Sequence, residues 1–161
     1  MPEIEIRFAT AEDTPLILSL IRELAEYEKL SHEVVADEET LRGSLFGERP
    51  YAQVLMASVD GESVGFALFF HNFSTFLGKP GIYLEDLYVR PAYRGSGAGR
   101  ALLSRLAQLA VERSCGRLEW WVLDWNEPSI GFYEKLGAEA MDDWTVYRLT
   151  GEALRRMASG D

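Results

Sequence analysis

The run Arg94-Gly-Ser-Gly-Ala-Gly99-Arg100 combines three alternating glycines with a positive charge at each end. Glycine has no Cβ and tolerates positive φ, so such a run can fold closely around a ligand. Leucines at helical spacing follow, which places the glycines where a helix begins and where its first N–H groups are unpaired. A tight glycine turn without a ligand has the same spacing. The flanking arginines favour an anion, and a pyrophosphate fits best.

Two other phosphate-binding signatures differ from this run. A Walker loop continues with Lys and then Ser or Thr, whereas Arg100 and Ala101 follow the last glycine here. A dinucleotide fingerprint is spaced G-x-G-x-x-G and is followed about 20 residues later by an acid. The spacing here is G-x-G-x-G, and Glu119 lies near that distance within an apolar run. Dinucleotide binding therefore remains open as the weaker alternative.

Two adjacent carboxylates, Glu85 and Asp86, precede the glycines. Alternating apolar residues predict a strand over residues 83–89. Pro91 ends that strand because proline has no amide hydrogen to donate. Adjacent acids are unusual in a strand that serves only the core. We therefore predict that the strand, the glycine run and the long helix after it form the functional centre of the fold.

Residues 125–133 supply a second group of candidate residues. If the apolar strand predicted at residues 118–123 runs parallel to the strand at 83–89, both strands end at the same edge of the sheet. Asn126 and Tyr133 would then face a ligand bound at the glycines. A phenol can donate a proton to a developing anion and is neutral at ordinary pH. The alternative is a tyrosine that only packs between helix and sheet.

Length and charge restrict the class of protein. A chain of 161 residues suits one domain with its own core, so we expect a single domain over residues 1–161. The hydrophobic and charged fractions, 47% and 26%, are those of a globular protein. The net charge of −10 argues against nucleic acid as the main partner and is compatible with a small cationic substrate.

Cys115 is the only cysteine of the chain, which excludes an intramolecular disulfide and a multi-cysteine metal site. We expect a small buried side chain at that position and a reducing, cytoplasmic environment. Neither His32 nor His71 has a recognisable catalytic context. The chain has no apolar run of the roughly 18 residues that span a bilayer, and its start lacks the pattern of a signal peptide. We therefore expect no membrane partner.

Hydrophobic periodicity predicts alternating strands and helices before the glycine run. They are a strand at residues 4–8, helices at about 10–29 and 37–46, and strands at 51–59 and 63–70. Thr10 and Asp13 match a capping box, and Asp60-Gly61 is a strong hairpin signal. Residues 71–80 are predicted to form a loop, because Asn, Ser, Gly and Pro occur there among aromatic residues. A loop beside a ligand site often carries specificity.

After the strand at residues 118–123, the pattern predicts a helix at 130–136 with Pro128 near its start, strands at 138–141 and 145–149, and a terminal helix at 151–158. The predicted order is β-α-α-β-β-β-α-β-α-β-β, followed by that short helix. This order indicates an α/β protein with a mixed sheet.

The segment Arg94-Gly-Ser-Gly-Ala-Gly99 resembles the acetyl-CoA pyrophosphate motif of the GNAT superfamily of N-acetyltransferases. The whole chain resembles the diamine (spermidine/spermine) acetyltransferase branch of that superfamily. The matching segments cover nearly all of the sequence and are Ala9-Thr10…Asp13, Glu23-Leu-Ala-Glu-Tyr-Glu28, Phe46-Gly-Glu48, Val64-Gly-Phe-Ala67, Tyr83-Leu-Glu-Asp-Leu-Tyr-Val89, Tyr93-Arg-Gly95 and Trp125-Asn-Glu-Pro-Ser-Ile130…Phe132-Tyr133…Gly137-Ala138.

The resemblance implies the GNAT fold, acetyl-CoA as co-substrate, no metal, and a homodimer for which exposed aromatics such as Trp144 would suit an interface. It also implies a bulge in the strand at Leu87 to Val89, which splays from the next strand and admits the pantetheine arm. The residues that it places at the cofactor are Leu87, Tyr88, Val89, Arg94, Gly95, Ser96, Gly97, Ala98, Gly99, Arg100, Asn126, Pro128 and Ser129.

For catalysis, the resemblance implies that Tyr133 protonates the departing CoA thiolate and that Glu85 binds or deprotonates the amine. It places Glu28, Asp86 and Trp125 at the substrate together with Glu85. Residues 72–81 do not align with the relatives, so the amine remains open between a polyamine and a lysine analogue. A protein-lysine acetyltransferase, an acetyl-CoA-binding module without turnover and a dinucleotide-dependent oxidoreductase are the alternatives.

Overall fold

A five-stranded sheet dominates the computed structural model, which describes residues 2–160. The strands are β1 (Ile4–Phe8), β2 (Gln53–Val59), β3 (Glu62–Ser74), β4 (Lys79–Val89) and β5 (Leu118–Trp120). The α-helices are α1 (Thr14–Tyr27), α2 (Glu38–Phe46), α3 (Ala98–Glu112), α4 (Glu127–Lys135) and α5 (Gly151–Ser159). The predicted mixed α/β class is confirmed. Backbone contacts define one compact unit that ends at Trp121 and a second that begins at Val122.

The strands lie in the order in which they occur along the chain. Strands β1 to β4 pair antiparallel, whereas β5 pairs parallel to β4. The hairpin predicted at Asp60-Gly61 joins β2 and β3. The predicted parallel arrangement of β4 and β5 is confirmed. Strand β5 is shorter than predicted, and its pairing with β4 ends where Leu84 lies opposite Trp120.

Local interactions fix the start of α1. Thr10 and Asp13 form the predicted capping box at a short 3-10 turn. Both terminal nitrogens of Arg7 donate to the Asp13 carboxylate at 2.8 Å. That hydrogen-bonded ion pair, opposed by partial burial, lowers the pKa of Asp13 to about 2. The entry into α1 is therefore tied to β1 by a charge-assisted contact.

The core has a layer on each face of the sheet. On one face, helices α1 and α2 pack through apolar side chains against β2, β3 and β4, and the buried cluster is Ile17, Leu20, Leu24, Leu45, Val54, Met56, Phe66 and Tyr88. Residues that alternate with these along β2 and β3, among them Leu55 and Ala67, are also fully buried. They face the opposite side of the sheet, where α3 packs on its leucines.

Residues 71–80 do not form the predicted loop. Strand β3 continues to Ser74 and β4 begins at Lys79, so only a tight turn separates them. His71 lies opposite Ile82, and Phe73 lies opposite Pro80. The composition of residues 71–80 favours a loop, but the pairing of two long neighbouring strands overrides that local preference. Proline is tolerated at this position because it lies at the second residue of its strand.

The strands predicted at residues 138–141 and 145–149 are also wrong. Residues 138–150 contain no strand, although α5 follows close to its predicted position. Alternating apolar residues are compatible with a strand, but a strand requires a hydrogen-bonded neighbour, and no described residue pairs with this segment. Its large side chains are exposed, for example Trp144 and Tyr147.

Two further expectations concern exposure. Cys115 lies just after α3 and is half-buried, less enclosed than predicted. The alternation of Ile4, Ile6 and Phe8 with polar residues predicts that β1 buries one face, but Ile4 and Ile6 are only half-buried and Phe8 is exposed. Within residues 2–160, no helix is both long enough and apolar enough to cross a membrane.

Replacement of Gly65 by alanine should destabilise the sheet. A Cβ at this position would lie against the backbone carbonyl oxygen of Tyr88, closer than real atoms approach, because Gly65 pairs with Val89 in the adjacent strand. We expect a loss of about 1 to 3 kcal/mol in the free energy of unfolding, measured by denaturant titration. Gly43→Ala in α2 is the control, since nothing lies within 4 Å of its added Cβ. Equal stability of the two variants would contradict this close packing.

Candidate active site

Strand β4 contains a bulge at Glu85. Leu68 of β3 lies opposite Asp86, while the next β3 residue, Phe69, lies opposite Leu84, so Glu85 is the extra residue. The resemblance placed a bulge at Leu87 to Val89, but those three residues pair regularly with β3. The bulge therefore lies two residues earlier than expected, at the first of the two adjacent acids.

The bulge changes which face of the sheet receives each β4 side chain. Side chains alternate along a strand, and one extra residue shifts that alternation by one. Asp86 and Tyr88 lie opposite Leu68 and Phe66, whose side chains pack in the α1 layer. Asp86 therefore faces the α1 layer. Without the bulge, Asp86 would face the same side as Leu84.

Like charges surround Asp86. Burial and the charges of Glu85 and Glu28 raise the pKa of Asp86 to about 7. Burial also raises the pKa of Glu28, which follows the last residue of α1. Across the described residues, no ion pair includes Glu28, Glu85 or Asp86. A bound cation would relieve this uncompensated negative charge.

Aromatic rings adjoin these acids. Tyr83 contacts Phe70 with ring centroids 5.1 Å apart and Trp121 with centroids 5.6 Å apart. Burial, together with the charges of Glu85 and Asp86, raises the pKa of Tyr83. Its hydroxyl therefore stays protonated at neutral pH. Acids beside aromatic faces form a surface that suits a small organic cation.

One edge of β4 has no neighbouring strand beyond Leu84. The pairing of β4 with β5 ends at that residue, whereas β4 continues to Val89. In the unit that ends at Trp121, Leu87 to Val89 pair only with β3. This edge is left by the end of β5 at Trp120, and the splaying of two strands stays a prediction. An extended ligand arm can pair with such an edge as an added strand does.

The glycine run forms the predicted turn into a helix. Gly95 has φ of +81°, and Gly97, with φ of +96°, is the N-cap of α3. A Cβ on Gly95 would meet nothing within 4 Å, so glycine is required there by conformation, while the space beside it is open. Among the described residues, none accepts a hydrogen bond from the backbone N–H groups of Gly97, Gly99 and Arg100. These donors fit a diphosphate at the start of a 15-residue helix.

The other predicted cofactor residues of this unit flank the same turn. Ser96 Oγ accepts from the N–H of Ala98, and Ala98 is buried. Arg94 donates from Nε to the carbonyl oxygen of Val89 at 3.2 Å. Arg100 is exposed in the first turn of α3. Two positive charges therefore stand beside the free N–H groups.

The remaining predicted residues belong to the unit that begins at Val122. Asn126 is buried and is the N-cap of α4, where its side chain accepts from the N–H of Ser129 at 3.4 Å. Pro128 lies in the first turn, as predicted. Tyr133 is half-buried on α4, with its ring centroid 5.7 Å from that of Phe132. Trp125, just before α4, is exposed.

The structure thus brings the predicted acids and the glycine turn into one unit and the predicted residues Trp125, Asn126, Pro128, Ser129 and Tyr133 into the other. A bulge was expected in this strand, but neither its position at Glu85 nor the raised pKa of Asp86 was predicted. The signal for both was the pair of adjacent acids in an otherwise apolar strand.

Glu119, the acid that a dinucleotide site would require, lies in the middle of β5. It accepts from the Asn72 amide at 3.2 Å and forms an ion pair with Arg117 at 3.8 Å. It is therefore occupied by protein donors. Across residues 2–160, no group of three or more His, Cys, Asp or Glu side chains is arranged to hold a metal ion.

Comparison with known proteins gives consistent matches. The model of the acetyltransferase (GNAT) family matches residues 17–138. Thialysine N-epsilon-acetyltransferase of Bos taurus is 43% identical over 98% of this chain and 99% of its own length. L-ornithine N5-acetyltransferase of Arabidopsis thaliana is 35% identical over 93% of this chain and 86% of its own length.

A solved structure, an integron cassette protein of V. cholerae, superposes with a TM-score of 0.80. It is 26% identical and covers 96% of this chain and 97% of its own. The fold predicted from the resemblance is confirmed by this match together with the family model.

Replacement of Asp86 by asparagine should stabilise the protein at high pH. The pKa of Asp86 is about 7 when folded, and an unfolded aspartate titrates near 3.9. The folded state therefore holds this proton more tightly, and the contribution of Asp86 to stability is lost as pH rises from about 4 to 7. The asparagine variant lacks this loss. We expect its melting temperature to exceed that of wild type by at least about 2 °C at pH 8 and to match it near pH 4.

Glu85→Gln is the control for this measurement, because Glu85 is exposed. Its effect at pH 8 should be smaller. A difference between wild type and the Asp86→Asn variant that does not vary with pH would contradict the raised pKa.

Proposed function

This chain belongs to the GNAT family of acetyltransferases and is an N-acetyltransferase, and we propose that it transfers acetyl from acetyl-CoA to the primary amine of a small cationic molecule. The observation that carries the substrate class is a group of carboxylates, Glu28, Glu85 and Asp86, that have no ion pair within residues 2–160 and whose charges act on one another. A small amine is protonated at neutral pH, with a pKa near 10.4 for a lysine side chain, so these acids attract it.

The names of two relatives favour a substrate with a terminal primary amine. Thialysine is acetylated at Nε by the first relative, and ornithine at N5 by the second. Both reactions modify a primary amine at the end of a short side chain. A diamine or polyamine offers the same terminal group, and the acids on this chain would attract it in the same way. We propose a lysine analogue or a diamine as the substrate class.

The proposed reaction uses the chain's own groups as follows. Bound acetyl-CoA supplies an acetyl group activated as a thioester. Glu85 accepts the proton of the bound ammonium, directly or through water, while Asp86 and Glu28 hold the cationic substrate. The neutral nitrogen then attacks the acetyl carbonyl carbon directly. A backbone N–H of Leu87 to Val89 donates to the carbonyl oxygen as negative charge develops there.

The reaction is completed by loss of the thiolate. We propose that Tyr133 donates its phenolic proton to the departing sulfur, which prevents the thiolate from attacking the product. The carbon–nitrogen bond forms and the carbon–sulfur bond breaks. The ammonium nitrogen loses two protons in all: the first passes to Glu85 before the attack, and the second leaves the nitrogen as the carbon–sulfur bond breaks and replaces, directly or through water, the proton that Tyr133 gave to CoA. Glu85 then releases its proton to solvent. No metal is required for any of these steps.

Cofactor binding is proposed for both units. The free N–H groups of Gly97, Gly99 and Arg100 and the charge of Arg94 would hold the diphosphate, with Gly95, Ser96 and Ala98 forming the turn around it. Leu87, Tyr88 and Val89 would pair with the pantetheine arm. Asn126, Pro128 and Ser129 would contact that arm, and Trp125 would contact the amine. The support in the structure is the set of free donors at the start of α3 and the open edge of β4.

The remaining proposals concern the context in which the enzyme acts. We propose a single N-acetyltransferase domain over residues 1–161 that forms a homodimer in the cytoplasm, without a nucleic-acid or membrane partner. The exposed ring of Trp144 supports an interface, and the net charge of −10 is unfavourable to phosphate-rich polymers. The single cysteine suits a reducing compartment.

A screen for thiol release tests the substrate class. Acetyl-CoA would be supplied with thialysine, ornithine, spermidine, putrescine and a lysine peptide, and free CoA would be measured. We expect saturation with at least one small amine and a lower kcat/KM for the peptide, because the acids recognise a small free cation. Saturation with the peptide alone would indicate a protein-lysine acetyltransferase. Binding of CoA without thiol release from any amine would indicate a module without turnover.

Replacement of Tyr133 by phenylalanine tests the proton donor. We expect kcat to fall by roughly 100-fold or more, because general acid catalysis contributes factors of this size. The affinity for CoA, measured by calorimetry, should change by less than about twofold. Tyr147→Phe removes a phenol from an exposed site in the same unit and should leave kcat unchanged. An unchanged kcat in the Tyr133 variant would remove it from the proposed role.

A further inference from the structure

Pro91–Tyr93 form a short 3-10 turn that leads to the glycine run, and helix α1 contacts the residue at each end of this turn. Arg90 lies at the start of this turn and contacts Glu23, with Nη2 3.1 Å from one carboxylate oxygen. Arg94 lies at its end, and its guanidinium carbon is 4.8 Å from the centroid of the Tyr27 ring. Glu23 and Tyr27 are four residues apart on one face of α1. Two contacts, one helical turn apart, therefore fix this turn against α1.

Arg90 and Arg94 differ in how many side-chain nitrogens remain available to a ligand. All three nitrogens of Arg90 are engaged, since Nε and Nη2 donate to Glu23 and Nη1 donates to the carbonyl oxygen of Ser63. Arg94 uses only Nε, which donates to Val89. Among the described residues, its terminal nitrogens have no acceptor. Arg90 thus fixes the turn, while Arg94 keeps two terminal donors beside the free N–H groups of the glycine turn.

A second ring contributes to the same arrangement. The Tyr88 ring centroid is 5.9 Å from the guanidinium carbon of Arg94, and the Tyr88 hydroxyl donates to Glu23 at 3.2 Å. Tyr88 is buried in the core and therefore cannot move far. The nearer ring, Tyr27, lies at the last residue of α1. An arginine over an aromatic face keeps its planar N–H fork available for phosphate.

We propose that Tyr27 is a positioning residue for the coenzyme: its ring holds the Arg94 guanidinium beside the glycine turn, so that the free terminal nitrogens meet the diphosphate. This inference rests on the proposed function. Arginine has many rotamers in solution, and a side chain ordered before binding loses less entropy when the ligand arrives. The ring supplies this effect through its contact with the Arg94 guanidinium.

Calorimetry with CoA on the full chain tests the proposal. Tyr27→Leu, which removes the ring, should weaken CoA binding by about 3- to 30-fold, the range expected for loss of a cation–π contact. Tyr27→Phe, the matched control, keeps the ring and should stay within about twofold of wild type. In an Arg94→Gln background, Tyr27→Leu should have little further effect, because the group that it positions is already absent.

Further measurements separate positioning from a general structural role. S-acetylpantetheine lacks the diphosphate, so kcat/KM with this donor should be the same for wild type and Tyr27→Leu. Arg94→Lys leaves α1 intact and keeps the charge but loses the planar fork. It should weaken CoA binding in the wild-type background and have a smaller effect in Tyr27→Leu. Melting temperatures of the free variants show whether each is folded at the assay temperature.

The outcomes distinguish this inference from the proposed function. If the wild-type chain gives no heat with CoA, the proposed function itself fails. If wild type binds CoA and Tyr27→Leu binds it equally well, only the positioning role fails. Additive effects of the Tyr27 and Arg94 substitutions, or an equal loss with S-acetylpantetheine, would also overturn the positioning role.

Discussion

The one-residue bulge at Glu85 is the constraint on which the candidate site depends. It aims Asp86 toward the α1 layer, where burial and the charges of Glu85 and Glu28 raise its pKa to about 7. A regular strand would direct this carboxylate to the opposite face, where apolar residues of β3 and α3 pack. The same backbone irregularity therefore creates the negative charge of the site and keeps a charged group out of the apolar layer.

Helix α1 connects the two halves of the site in the unit that ends at Trp121. Its C-terminal part contacts Arg90 and Arg94, and the charge of Glu28, the residue after the helix, raises the pKa of Asp86. One rigid element thus sets the position of the anion-binding turn and of an acid for the amine. Its own position is fixed at the other end by the capping box and by Arg7. Packing of its apolar face on the sheet supplies most of its stability.

The acids around Asp86 lower the stability of the folded chain. Like charges held close together and partly buried destabilise a folded chain, and no ion pair among the described residues offsets Glu28, Glu85 or Asp86. Natural proteins retain such local costs where function requires them. Other partly buried charged groups of this unit are paired, as Arg90 with Glu23 and Arg7 with Asp13 illustrate. The contrast supports a site that is completed by a cation.

Sequence alone determined the elements whose signals are local. The glycine run at the start of α3, the Thr10 capping box and the Asp60-Gly61 hairpin depend on neighbouring residues, so their chemistry can be seen without a fold. The tertiary structure decided what depends on distant partners. Pairing with β3 extended β4 into residues predicted as a loop and created the bulge, while residues 138–150 found no partner strand. Strand pairing and pKa values depend on groups far apart in sequence, and only the folded chain brings these together.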